Sequence, residues 1–265
     1  MRSPELSIVV PAFNEQSRLP QTLHRISQYI AASGHNSEIV VVDDGSVDRT
    51  VEVAESFRAQ CPSLRILLNG QNRGKGFSVR RGMLEARGKI VLFTDADLSA
   101  PIEEADKVLA ALEDCDIAIG SRALNRGLIS VHQPRLRELA GIIFNAVVRF
   151  CLGLTYVDTQ CGFKAFRRDS CRTVFERQTI EGFGFDPEVL FLANRQGLRV
   201  IEIPVRWGHS PGTKVSMFRD SARMFLDVFV IRWNDIAGRY SRNGSTLRGA
   251  RLLDHACGPE IASRE

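Results

Sequence analysis

Short apolar runs alternate along the chain with longer stretches in which apolar positions recur every three or four residues. In the first half, LSIVVPAF (6–13), EIVVVDDG (38–45), LRILL (64–68), KIVLFTDA (89–96) and CDIAIGSR (115–122) are dominated by Val, Ile and Leu and read as strands. Between them Leu19, Leu23, Ile26 and Ile30 follow spacings of four, three and four, one face of a helix. Val51, Ala54 and Phe57 mark a second helix, with Ser46 or Asp48 as its cap. GFSVRRGMLEAR (76–87) reads as a third that stops at Gly88. PIEEADKVLAALED (101–114) reads as a fourth with Pro101 near its first turn. Strands without polar alternation are buried on both faces. The pattern therefore predicts an α/β fold with a mostly parallel central sheet and helices on both faces.

The second half changes character. A very apolar helix is predicted over 136–152, a strand at GFKAFRR (162–168), a helix over 187–196 and a strand at LRVIEIPVRW (198–207). A long amphipathic helix follows over 217–240. Asp220, Arg223, Asp227 and Asn234 share one of its faces; Phe218, Ala222, Phe225, Phe229 and Trp233 share another. The tail over 241–265 is polar and reads as loose.

In sheets of this kind ligands bind beyond the carboxyl ends of the strands. That rule gathers Asn14, Asp43, Asp44, Asp95, Asp97 and Arg122 along one rim, since each follows a strand. Asp95 and Asp97 are two apart in an extended segment and point the same way, so they can hold one hard cation, Mg²⁺ or Mn²⁺. The competing reading is a cap for the helix after Pro101, a role also open to Ser99. No Cys or His grouping nearby suits zinc. Asp43 can accept the ring N–H of a uracil or guanine, or can serve a turn. NRGKGFS (72–78), with two glycines around Lys75, could approach phosphates closely. It matches neither GxxxxGK[ST] nor GxGxxG, which argues against a nucleotide-triphosphate loop or a dinucleotide fold.

Composition adds a few bounds. The 265 residues are 44% hydrophobic and 25% charged, ordinary for a globular chain, and the net charge is +4. That charge is too small to argue for nucleic acid, and the basic residues are not interleaved with aromatics. Their placement says more. Arg73, Lys75, Arg80, Arg81, Arg87 and Lys89 stand against Glu85 alone, and Arg122, Arg126, Arg135 and Arg137 form a run without an acid. Both clusters fit an anionic ligand with several phosphates, Arg81 and Arg87 reading instead as solvated helix faces. Arg135 and Arg137 precede the apolar helix, and Lys214 lies in HSPGTKVS; positive groups beside apolar surface suit a phosphate head on a greasy chain. For Arg135 a plain surface charge is the other reading. The helices over 136–152 and 217–240 could lie in a membrane interface, with Arg232, Arg239, Arg242, Arg248 and Arg251 toward anionic lipid. Alternatively they pack into the core or against a second copy in a homo-oligomer. The six cysteines form no CxxC pair, and no secretory signal is read, so free thiols in a reducing cytosol are expected. No apolar run reaches the roughly 18 residues of a membrane span; the run over 139–154 is broken by Asn145 and Arg149.

VVPAFNE, VVVDDGSVDRT, NRGKGFSVRRG, FTDADLS, GSR and DTQCGFK, in this order, resemble a family 2 glycosyltransferase of the GT-A fold over about residues 6 to 240. DTQCGFKAF, FGFDPEVLF and GTKVS before an amphipathic helix are similar to the dolichyl-phosphate β-glucosyltransferases, with the dolichyl-phosphate mannose synthases as near relatives. The resemblance implies one catalytic domain over 1–240, with a nucleotide-sugar half to about 125, an acceptor half over 126–216 and an interfacial helix over 217–240. It implies that Pro11, Asn14, Glu15 and Gly45 border the nucleotide, that Asp43 reads the base, and that Lys75 lies near the nucleotide. Asp95 and Asp97 would hold the metal and the ribose–diphosphate, Arg122 would face the acceptor phosphate and Gln160 the sugar. Ser99 stands where the mannose synthases carry a metal-binding glutamine, which favours the glucosyl branch. Asp186 occupies the place of a base in sugar-acceptor relatives, although Asp186-Pro187 is also a good helix start. The implied activity is inverting transfer of a hexose, glucose from UDP-glucose first, onto a polyprenyl phosphate at the cytoplasmic membrane face. GDP-mannose as donor or a soluble sugar acceptor is the alternative.

Overall fold

The computed structural model describes residues 3–131, 134–209 and 219–241. The first half runs β1 (Leu6–Ala12), α1 (Leu19–Ser33), β2 (Ser37–Asp43), α2 (Thr50–Ser56), β3 (Leu64–Leu68), α3 (Lys75–Glu85), β4 (Ile90–Thr94), α4 (Ala105–Ala111) and β5 (Ile117–Ser121). The second half runs β6 (Ile129–Val131), α5 (Arg135–Leu152), β7 (Phe163–Arg167), α6 (Arg168–Arg177), α7 (Phe185–Arg195), β8 (Val200–Pro204), β9 (Trp207–Gly208) and α8 (Arg219–Ile236).

Seven strands form one sheet in the order β3-β2-β1-β4-β7-β5-β8. All are parallel except β7, which pairs antiparallel with both β4 and β5. Both faces are buried, as the unbroken apolar strands require. Ile8, Val10, Ile39, Val41 and Leu92 pack with α1, α2 and α4, while Val9, Val40, Val42, Val91 and Phe93 pack with α3, α5, α6, α7 and α8. Neighbouring residues thus go to opposite cores, the period-two signature of a strand covered twice.

The topology positions the site. Six parallel strands deliver their carboxyl ends to one rim. The antiparallel β7 does the reverse, bringing its amino end, and the DTQCG residues before it, to the same rim beside Asp95: Thr94 is in register with Phe163, and Asp95 N donates to Gly162 O at 3.2 Å.

Several details depart from expectation. A helix follows β7 directly, with Cys171, Val174 and Phe175 buried. Their spacing of three and one is helical. Ser46 does not cap α2; its hydroxyl accepts from Asn14 N instead, and Asp48 receives Thr50 N at 3.0 Å. Asp186 is not a cap either, because α7 begins one residue earlier with Gly184 as its N-cap. Ser99 does not cap the segment after Pro101; that position is Pro101 itself, ahead of a short 3₁₀ turn over Ile102–Glu104.

The two apolar helices of the second half lie side by side, Phe144 of α5 meeting Phe225 of α8 edge-on at 5.0 Å. Asn145, which breaks the apolar run, is an internal clamp: its Nδ2 donates to Val157 O at 2.7 Å and its Oδ1 accepts from the Thr159 hydroxyl at 2.8 Å. In α8 the inward face holds Val228, Ile231 and Asn234, whereas Phe229 and Trp233 are exposed at 61% and 64%. Leu136, Leu139, Ile142, Ile143 and Phe150 of α5 are exposed as well. Among the described residues no helix is long and apolar enough to cross a membrane, and the cysteines at 61, 115, 151, 161 and 171 are unbridged.

Candidate active site

A cleft of about 630 Å³ opens at the carboxyl rim. It is lined by Lys75, Asp95, Asp97, Ser99, Gln160, Gly162 and Asp186, and also by Arg122, Arg126, Arg137 and Arg149 together with apolar side chains of α5 and α8.

After β4 the chain does not stay extended as expected: Leu98 N donates to Asp95 O at 3.1 Å, which closes a turn over 95–98. Asp95, Asp97 and Ser99 are half-buried and line the cleft, while Ala96, Leu98 and Ala100 are buried. Leu98 sits at φ 46°, a conformation that L residues adopt at a cost of order 1–3 kcal/mol and that is enriched at functional sites. Asp97 Oδ1 accepts from Ser99 N at 2.9 Å. Asp95 is placed by Gly162: a Cβ there would come within 2.0 Å of Asp95 Oδ2. The bare glycine is the cradle in which that carboxylate sits. Among the described residues no cluster of three or more His, Cys, Asp or Glu could hold a metal. Two carboxylates at an open rim fit a hard cation that takes its remaining ligands from water and a diphosphate.

Lys75 opens α3, and its Nζ lies 2.6 Å from Asp95 Oδ1. Burial opposes its charge, but Asp95, Asp186 and Asp97 outweigh that and raise its pKa. The glycines around it serve a purpose other than the expected phosphate approach. A Cβ at Gly74 would lie 2.4 Å from Glu181 O, and one at Gly76 would lie 2.6 Å from Ile180 O. The loop is bare so that the 180–182 backbone can pack on it. Asp44 anchors it from the other side, receiving Gly74 N at 2.8 Å and Arg73 N at 3.0 Å. Three further cations of this cluster make contacts within the protein, while Arg87 and Lys89 are exposed. Arg73 pairs with Glu181, Arg80 donates to Phe175 O, and Arg81, expected as a solvated charge, donates to Leu68 O at 2.6 Å.

Arg122 follows β5 and is locked by a residue that sequence reasoning passed over within DTQCGFK. Asp158 accepts its Nε at 2.7 Å, its Nη2 at 2.8 Å and its backbone N at 2.9 Å. Burial alone would raise the Asp158 carboxyl, but Arg122 prevails and holds it below the usual carboxylate range. Asp186 is paired too. Lys164 Nζ, itself 1% exposed, donates to Asp186 Oδ1 at 2.6 Å and to Cys161 O at 2.5 Å. Burial pushes the Asp186 carboxyl up, with Lys164 and Lys75 pulling the other way.

Pro11, Asn14, Glu15, Asp43 and Gly45 stand apart from this cleft wall, at the exits of β1 and β2. Glu15 is bound at both oxygens by Arg18, each at 2.6 Å. Asn14 Oδ1 accepts from Val47 N at 2.8 Å. Asp43 serves its turn with one oxygen, Oδ2 accepting Gly45 N and Ser46 N at 3.1 Å each. Its other oxygen, Oδ1, is buried and has no partner. Gly45, at φ 72°, lets Gln71 pass; a Cβ would lie 2.5 Å from the Gln71 carbonyl carbon.

On the basic side Arg126 pairs with Glu138. Arg137, Gly141, Asn145 and Arg149 follow one another at spacings of four on α5, and all line the cleft. Arg149 was legible in the sequence only as a break in an apolar run. The Arg135 side chain, Lys214, Phe218, Arg242, Arg248 and Arg251 lie outside the described residues.

A sequence profile described as glycosyl transferase family 2 matches residues 7–175. The chain is 35% identical over 258 residues to a dolichyl-phosphate beta-glucosyltransferase of Trichomonas vaginalis, covering 93% of this chain and 77% of the relative. It is 34% identical over 259 residues to that of Saccharomyces cerevisiae, covering 90% and 77%. It is 37% identical over 241 residues to that of Drosophila melanogaster, covering 86% and 74%. Among solved structures, glucosyl-3-phosphoglycerate synthase from Mycobacterium tuberculosis in complex with UDP superimposes with a TM-score of 0.63 at 20% identity, over 91% of this chain and 82% of that one. Mannosyl-3-phosphoglycerate synthase from Rubrobacter xylanophilus does so at 0.65 and 19%, over 91% and 78%. These likenesses show a shared GT-A fold.

Proposed function

The chain belongs to glycosyl transferase family 2, and on that premise we propose that it is a hexosyltransferase that moves glucose from UDP-glucose onto dolichyl or another polyprenyl phosphate, with inversion at the anomeric carbon. The observation that carries the reading is the single cleft that joins an acidic rim, Asp95 and Asp97, to an arginine-lined arm walled by the apolar helices α5 and α8.

The donor takes the acidic end. Asp43 Oδ1, the buried acceptor without a partner, receives the ring N–H of uracil, and Pro11, Asn14, Glu15 and Gly45 border the nucleotide. Asp95 and Asp97 would hold Mg²⁺ or Mn²⁺, which would supply positive charge beside the leaving diphosphate. Lys75 turns from Asp95 to the same diphosphate oxygens, and Gln160 faces the sugar.

The acceptor takes the basic end. Its phosphate monoester has a second pKa near 6 and is largely dianionic at neutral pH, so its oxygen attacks without needing a strong base. Arg122, held rigid by Asp158, orients that phosphate; Arg137 and Arg149 extend the positive surface, and Arg135 and Lys214 belong to the same arm. The O–C1 bond forms on the face opposite the breaking C1–O bond to the diphosphate, which leaves as UDP. Asp186, raised by burial, borders the reacting groups and accepts the proton of any monoanionic acceptor. The exposed apolar faces of α5 and α8 rest on the cytoplasmic face of a membrane, where the polyprenyl chain resides.

A donor and acceptor panel tests this. UDP-glucose, UDP-galactose and GDP-mannose are each incubated with a polyprenyl phosphate or with soluble sugars, and label is partitioned between butanol and water. The expected result is butanol-soluble label from UDP-glucose alone. Label from GDP-mannose, or label confined to water, would overturn the donor or the acceptor assignment respectively.

A further inference from the structure

The segment 178–184, which joins α6 to α7 and leads to Asp186 in the cleft, is held from three sides. On one side bare Gly74 and Gly76 receive its backbone. From α7, Glu188 accepts Thr179 N at 2.9 Å and Ile180 N at 2.8 Å. On the third side α8 supplies Asn234, whose Nδ2 donates to Thr179 Oγ1 at 3.1 Å, and Asp227.

Asp227 differs from the other two holds. Its Oδ2 is buried yet has no hydrogen-bond partner. It lies against Gly184: a Cβ there would come within 2.4 Å of Asp227 Oδ2 and 2.7 Å of Asp227 Cβ. Gly184 is the N-cap of α7, and Asp186 is two residues further on. A buried carboxyl oxygen without a donor is unfavourable, and such groups call for a reason. The reason on hand is steric: the carboxyl fills the space above a residue that has no side chain, and so fixes where α7 begins.

We propose that Asp227 is a positioning residue, which seats on Gly184 and thereby sets the place of Asp186 in the cleft. The inference rests on the cleft role of Asp186 given above. Burial raises the Asp227 carboxyl, Arg223 opposing, and Asn matches Asp in shape and so keeps the contact with Gly184. The same helix presents Leu226, Phe229 and Trp233 outward, so the residue that positions Asp186 is rooted in the element proposed to rest on lipid.

The test is a double-mutant cycle on the purified full chain, with kcat, donor KM and melting temperature measured for Gly184→Ala, Asp227→Ala, the double variant, Asp227→Asn and Asp186→Asn. Displacement by about 1 Å near reacting groups can cost about a hundredfold, so Gly184→Ala should lower kcat by about tenfold or more with donor KM within about twofold. The double variant, freed of the collision, should recover to the kcat of Asp227→Ala, a non-additive rescue. Asp227→Asn should lie above Asp227→Ala. Should Gly184→Ala fail to fold, the two Asp227 variants decide: wild-type kcat in Asp227→Ala overturns the proposal. A double variant no better than Gly184→Ala overturns it as well. Wild-type kcat in Asp186→Asn overturns the role of Asp186 itself, whereas an inactive Asp186→Asn beside a cycle without rescue overturns the positioning alone.

Discussion

Lys75 Nζ sits 2.6 Å from Asp95 Oδ1, an ion pair at the mouth of the cleft where the donor diphosphate is proposed to bind. The pair keeps both groups in place while the site is empty of substrate. It also means that the lysine must exchange one anionic partner for another when a diphosphate arrives. Lys75→Ala is therefore expected to raise donor KM by about tenfold, roughly 1.4 kcal/mol, and to lower kcat as well. Steady-state kinetics against UDP-glucose checks this; an unchanged KM would detach Lys75 from the donor.

Asp97→Ala removes a half-buried carboxylate whose one described hydrogen bond is from the backbone N–H of Ser99. The fold should survive, with a circular dichroism spectrum like wild type. Transfer should fall by about 10³-fold or more, the scale of losing a preorganised group that stabilises developing charge, and Mn²⁺ should no longer strengthen UDP binding in calorimetry. Near wild-type turnover would remove the cation from this position.

Asp158→Ala leaves Arg122 partly buried without its counter-ion. The expected loss is about 2–4 kcal/mol, toward the lower end of what breaking a buried pair costs because Arg122 keeps some solvent contact. The sign with pH follows from the depressed folded pKa of Asp158. Its contribution is present above its unfolded value near 3.9 and disappears as pH falls through the lower folded value. Urea unfolding should therefore show the wild-type advantage over Asp158→Ala shrinking in that acid range. An advantage independent of pH there would contradict the ion-pair account.

Asp186 moves the other way. Burial raises its carboxyl, with Lys164 and Lys75 partly restraining the shift. If its carboxylate form takes part in transfer, kcat falls in acid with a midpoint above the ordinary carboxylate value near 4. Lys164→Met removes the nearest restraint and should shift that limb to still higher pH. A limb that stays put belongs to the acceptor phosphate and not to Asp186.

Phe229→Ser and Trp233→Ser change side chains that are already exposed. Stability in water should stay within about 0.5 kcal/mol of wild type. Binding to vesicles should weaken by about 1.5–3 kcal/mol for each large apolar side chain lost from the interface, roughly tenfold or more. Co-sedimentation measures this directly; unchanged partition would assign the α5–α8 face to something other than lipid.

Much of the fold and part of the site could be read from residue order alone, for identifiable reasons. Strands buried on both faces leave an unbroken apolar signature, so β1, β2, β4 and β5 and the rim residues after them were legible. Asp97 was legible from its place just past a strand end, but the turn over 95–98 that carries it to the cleft was not. What escaped depends on contacts distant in sequence. Asp158 meets Arg122 only because β7 runs backward between β4 and β5, and no local pattern announces that reversal. The glycines at 74 and 76 looked like room for a ligand, yet each makes room for the protein's own backbone, and Gly162, which no local pattern singled out, makes room for Asp95. Helix α6 was legible in principle, through Cys171, Val174 and Phe175, but it begins without a loop after β7. In α8 the apolar face was visible in the sequence, with an interfacial and a buried placement both open; that Phe225 packs on Phe144 while Phe229 and Trp233 stay exposed is set by tertiary packing.

The most direct test of the whole account is the structure of the product. UDP-[¹³C]glucose, Mn²⁺ and a short polyprenyl phosphate are incubated with the full chain, and the lipid fraction is read by NMR. The account predicts a β-linked glucosyl phosphodiester, with one UDP released for each one formed. An α-linked product, or UDP released with free glucose and no phosphodiester, would contradict it.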